Sequence, residues 1–122
     1  MFHEDRELLA RAARAAGIVD FEFDETCSGT WAIFHGDGHH TCWNPLDDDG
    51  DALRLAVRLS LHMQINAGGE IKFVVAGVEN PDWDRYCDPD ESKWTAEVSI
   101  RDDACAATRR AIVIAAASCA DA

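Results

Sequence analysis

The stretch that most constrains the fold is Trp43-Asn44-Pro45-Leu46-Asp47-Asp48-Asp49-Gly50-Asp51-Ala52-Leu53-Arg54-Leu55. Pro45 disfavours a helical backbone at Asn44, so no helix begins before the proline. Asp47, Asp48 and Asp49 then offer carboxylate oxygens to the unpaired N–H groups of a first turn, and their charge suits its positive dipole end. From Ala52 the chain turns apolar at helical spacing, through Leu53, Ala56, Val57 and Leu61. A helix is therefore expected over residues 49–63. At about 100° per residue, its polar side chains Asp51, Arg54, Arg58 and His62 fall within roughly 80° of arc. So thin a polar stripe predicts the most buried helix of the chain, with Leu53, Val57 and Leu61 almost fully enclosed.

Residues 4–16 precede this with another helical pattern, apolar at Leu8, Leu9, Ala12, Ala13 and Ala16. Glu7 and Arg11 pair favourably four apart. Gly17 is the expected stop, because glycine takes the left-handed conformation cheaply. Residues 19–24 alternate strictly, Val19, Phe21 and Phe23 against Asp20, Glu22 and Asp24, as in a strand with one wet face. A turn at Cys27-Ser28-Gly29 leads to a second strand over 30–35. There Trp31 and Ile33 oppose Ala32 and Phe34, so both faces should be covered. Residues 36–44 read as a glycine- and histidine-rich loop.

Beyond the middle helix, residues 66–69 break the pattern before a β-branched strand over 70–78. An acidic loop, 79–91, separates it from an alternating strand over 92–100 with Trp94, Ala96, Val98 and Ile100 inward. Asp102 or Asp103 caps a last helix ending near residue 119, with Arg109 and Arg110 near solvent. The order is α-β-β-α-β-β-α, a hint of duplication without a residue-level repeat. Short connections favour antiparallel pairing, hence an α+β fold of three helices and a sheet of about four strands. No linker divides the 122 residues, which form one expected domain.

With 48% hydrophobic residues the chain has material for a core. Its longest apolar run, residues 111–117, falls short of the roughly 20 residues of a membrane span. The polar start, residues 3–7, lacks a hydrophobic signal region, so a soluble cytoplasmic protein is expected. Five cysteines without a Cys-x-x-Cys pair suit a reducing compartment better than a disulfide framework. Cys105 and Cys119, on one expected helix, would stand roughly 21 Å apart, beyond disulfide reach. The net charge of −12, from 23 acidic and 11 basic residues, argues against direct nucleic-acid binding. It permits the reverse, an acidic protein seated on a basic nucleic-acid-binding surface of another molecule.

Trp43-Asn44-Pro45 followed by Asp49-Gly50-Asp51-Ala52-Leu53-Arg54-Leu55-Ala56-Val57 resembles the centre of small phage and prophage proteins of proteobacteria. Ala106-Ala107-Thr108-Arg109-Arg110-Ala111-Ile112-Val113 resembles their C-terminal helix. The family is the phage ABA-sandwich domain, a sheet held between helix layers. The resemblance implies that architecture over the whole chain, with one layer partial where the strands keep wet faces. It also implies a phage or prophage accessory protein in a bacterial host, and it carries no metal site.

Among groups able to do chemistry, Cys27, His35, His39, His40 and Cys42 are of the types zinc prefers. Their spacing matches no standard finger, so neither metal nor cofactor is expected. The run Asp47-Asp48-Asp49-Gly50-Asp51 fails as a calcium loop. With Gly50 at the sixth position, Pro45 and Ala56 would hold the first and last ligand places. Cys105 lies near a helix start, but Asp102 and Asp103 oppose a thiolate there, and a buried structural thiol is expected. No phosphate-binding or nucleophile-elbow motif occurs.

Trp83 and Tyr86, among Asp82, Asp84, Asp88, Asp90 and Glu91, are the residue types that anchor interfaces. The expected function is thus non-enzymatic. An accessory protein would bind an unidentified host or phage protein through this acidic loop, with self-association left open. The alternative is a small metal- or thiol-dependent enzyme using the Cys/His-rich hairpin.

Overall fold

The structure is a computed structural model that describes residues 3–24, 30–34, 38–70, 72–77 and 95–120. Its elements run α1 (His3–Ala15), β1 (Phe21–Asp24), β2 (Thr30–Phe34), β3 (His40–Trp43), α2 (Asp49–Arg58), β4 (His62–Asn66), β5 (Phe73–Gly77), β6 (Ala96–Ser99) and α3 (Ala104–Cys119). The fold is α+β with antiparallel strands and three helices. The strands form two sheets of three, ordered β1-β2-β3 and β4-β5-β6, rather than one sheet of about four. Each expected pair of strands has gained a third member.

The helix starts obey local rules. Asp48 caps α2 by accepting a hydrogen bond from the Asp51 N–H at 2.8 Å. Asp103 caps α3 in the same way through the Ala106 N–H at 3.0 Å. Gly17 ends α1 with φ +78°, while the Ile18 N–H reaches back to the Ala13 carbonyl. This is the six-to-one bond of a left-handed helix stop.

The end of α2 corrects the expected helix over 49–63. Ser60, not a glycine, takes the left-handed conformation, at φ 53°. Its N–H bonds the Val57 carbonyl and the Leu61 N–H bonds the Ala56 carbonyl, the pattern that also ends α1. The apolar residues beyond it belong to β4, whose Met63 and Ile65 pair with Ala76 and Val74 of β5. In the expected loop 36–44, β3 likewise forms against β2, with Trp43 opposite Trp31 and Cys42 opposite Ala32. The first strand begins only at Phe21, and Val19 is 84% exposed rather than part of its buried face. Phe21 meets Trp31 edge-on, with ring centroids 5.1 Å apart.

The most buried helix is α3, not α2. Its alanines let neighbours approach closely on two sides. Ala107, Ala111 and Ala115 lie against Val74, Ala76 and Ala96 of the second sheet. Ile112, Val113 and Ala116 lie against Leu9, Ala12 and Ala13 of α1, Leu55 of α2 and Trp43 of β3. Burial of a side chain such as Leu9 or Val113 contributes about 1.5–3 kcal/mol. In α2, Ala52, Leu55 and Ala56 face this core. Leu53 and Val57, expected inside, are 61% and 69% exposed, and Leu61 is only partly buried. No helix among the described residues is long and apolar enough to cross a membrane.

Candidate functional site

The link from β3 to α2 is locked by its own side chains. Asn44 accepts a hydrogen bond from the Leu46 N–H at 3.1 Å, and its amide group donates to Asp47 at 3.0 Å. The Asn44 N–H donates to Asp51 at 2.9 Å, and Arg54 donates to the other oxygen of Asp51 at 2.7 Å. Pro45 and Trp43 are buried beneath. The acidic run is therefore spent on turn and helix-start bonds, which is scaffold chemistry.

Arg109 of α3 closes this turn from the other side. Its Nε donates to the Leu46 carbonyl at 2.8 Å and its guanidinium donates to Asp49 at 2.6 Å. Its side chain is only 15% exposed, against the solvent position expected for it. The hydrogen bond it donates to Asp49 raises its pKa, opposed by burial, so the guanidinium stays charged. The two stretches on which the family resemblance rests thus meet at this contact.

A groove of about 430 Å³ opens beside that contact, between α2, β4 and the first turns of α3. Its walls are Ala52, Leu53, Met63, Ile65, Cys105 and Ile112, with Asp49 and Arg109 at the rim. The opening follows from how α3 lies: it covers β5 and β6 and leaves the inner face of the edge strand β4 partly bare. Ile65 is 53% exposed in consequence. On the far side of Leu53 a second groove, about 540 Å³, runs past Ile33, Trp43 and Val57 and is edged by Arg54 and Arg58. Leu53 is the wall the two grooves share.

The walls of the first groove are mostly apolar, its cation is already paired with Asp49, and Cys105 stands among the wall residues. That thiol is free and exposed, not the buried one expected. Cys119, at the other end of α3, is also free, and burial pushes its thiol pKa up.

Of the zinc-type residues, His39 and His40 are exposed, and the His40 ring lies 5.7 Å from that of Phe34. Cys42 is disulfide-bonded, against the expectation that the cysteines suit a reducing compartment better than a disulfide framework. A sulfur held in a disulfide is no thiolate ligand. Cys27 and His35 lie outside the described residues. Among the described residues no three His, Cys, Asp or Glu side chains are grouped so as to hold a metal ion. The proposed binding residues Trp83, Tyr86, Asp82, Asp84, Asp88, Asp90 and Glu91 also lie outside the described residues.

Leu53, Val57 and Ile65 escaped the sequence reading because exposed and buried apolar residues look alike in a periodic pattern. One signal was available. Ala52, Leu55, Ala56 and Leu59 fall within roughly 100° of arc, and Leu53 and Val57 lie outside it, towards Arg54 and Arg58. No protein-family model, curated protein or solved structure matches the chain.

Proposed function

We propose that the protein is a phage- or prophage-encoded accessory protein that works by binding another protein in a bacterial host. The observation that carries the reading is a continuous apolar surface, Ile65–Leu53–Val57, beside a groove on a chain of net charge −12. Apolar patches edged by charge mark interaction sites on otherwise soluble surfaces. Strong net charge steers encounter and chooses partners, while buried apolar area holds the complex. The resemblance of the Trp43 and Arg109 stretches to phage ABA-sandwich proteins supports the phage origin. The acidic residues around Trp83 and Tyr86 remain part of the proposed binding surface.

The test is affinity capture from a bacterial host, comparing the wild-type chain with the charge-neutral double variant Leu53→Ser, Val57→Ser. Both side chains are exposed, so the variant should fold, which circular dichroism and thermal melting establish. A partner held by the wild type and lost from the folded variant is the expected result. An identical set of captured proteins overturns the reading.

A further inference from the structure

We infer that the groove between α2, β4 and α3 receives a cationic amphipathic peptide segment of the partner. The inference rests on the protein-binding reading above and adds which groove is used and what chemistry fills it. Two observations join to give it.

The first is the shape of the apolar surface. Met63 and Ile65 project from the inner face of β4 into a slot whose other wall is Leu53 and whose floor includes Ile112. In the rest of this sheet the equivalent side chains, Val74, Ala76 and Ala96, are covered by α3. Exposed Leu53 and Ile65, with the partly buried Met63, form a trough that a row of apolar side chains can fill, as amphipathic helices do in grooves.

The second is the distribution of charge at the two mouths. Asp49 stands on the rim of the groove with its carboxylate 73% exposed, and exposed Asp47 and Asp48 precede it. Exposed Asp102 and Asp103 lead into Ala104, which also lines the groove. The nearest cation on the wall, Arg109, is already paired with Asp49 and the Leu46 carbonyl. The second groove is edged by Arg54, which is paired with Asp48 and Asp51, and by Arg58. A segment with lysines or arginines flanking an apolar stripe matches the acidic approach to the first groove.

The probe is a fluorescent synthetic peptide of leucines and lysines, with leucines at i, i+3, i+4 and i+7 so that one helical face is apolar. Two controls share its length: the same residues scrambled to destroy the stripe, and glutamates in place of the lysines. Fluorescence anisotropy with the wild-type chain should show binding at least about tenfold tighter for the cationic amphipathic peptide than for either control. Ile65→Ser should weaken it by about tenfold, as loss of an anchor does, and Asp102→Asn by a smaller factor that shrinks as salt rises. Bound peptide should also protect Cys105 from alkylation, read by peptide mapping.

Equal binding of the scrambled peptide, or indifference to Ile65→Ser, overturns the inference, since charge alone would then explain adhesion. Equal binding of the glutamate peptide overturns the charge assignment. If no peptide binds while the captured partner still depends on Leu53 and Val57, this inference fails and the protein-binding reading stands. Loss of that dependence strikes the broader reading instead.

Discussion

The helices α2 and α3 are both rich in apolar residues, yet they use them in opposite ways. In α3 the buried positions are Ala107, Ala111, Ile112, Val113, Ala115, Ala116 and Ala117, mostly alanines, enclosed on two sides. In α2 only Ala52, Leu55 and Ala56 are buried, and the large Leu53 and Val57 point outward. Alanine at most of the buried α3 positions lets both layers close on that helix, with Ile112 and Val113 filling the core shared with α1. A helix with one neighbouring layer has a free side, and there leucine and valine stand in solvent. This exposed pair is the feature on which the proposed binding surface rests.

Substitutions in the two helices can break this contrast. The largest expected effect is at Leu55, which is 3% exposed in the core shared with α1 and α3. Leu55→Ala should cost about 2–5 kcal/mol, measured by urea denaturation. A cost under about 0.5 kcal/mol, the surface range, would remove α2 from the core. Next comes Ala111, fully buried between α3 and the second sheet. Ala111→Leu adds atoms where there is no room and should cost about 1–3 kcal/mol by overpacking. A variant as stable as the wild type would show that α3 is not tightly enclosed. The smallest effect belongs to Leu53, where truncation to alanine should shift stability by no more than about 0.5 kcal/mol. A loss comparable to that of Leu55→Ala would mean the exposed face of α2 is packed, and the groove would lose its wall.

The candidate site was partly legible in advance. Asp47, Asp48 and Asp49 were read as helix-start residues; Asp48 is the cap, whereas Asp47 accepts from the Asn44 amide and Asp49 from Arg109. The groove was not legible, because Leu53 and Met63 were placed on one continuous helix. Once Ser60 ends that helix, Met63 and Ile65 move to a strand and face Leu53 across a gap. A serine carries no sequence mark of a left-handed stop, since glycine is the usual choice. Cys42 also changed character: its disulfide depends on a sulfur brought near by the fold, which the reducing-compartment argument could not foresee.

The sequence by itself determined what a few neighbouring residues can settle among themselves. The caps at Asp48 and Asp103, the stop at Gly17 and the break at Pro45 depend on hydrogen bonds and backbone angles within one turn. Their chemistry is complete before the chain folds. Tertiary structure alone decided which apolar residues are covered, whether 40–43 and 62–66 become strands, and what Arg109 holds. Those outcomes depend on distant partners: Leu46 and Arg109 lie 63 residues apart in the chain, and Asp5 and Arg110 lie 105 apart. Apolar surface has no built-in direction: it is buried only where another layer arrives, and α3 covers Val74, Ala76 and Ala96 of β5 and β6 while Ile65 of β4 stays exposed.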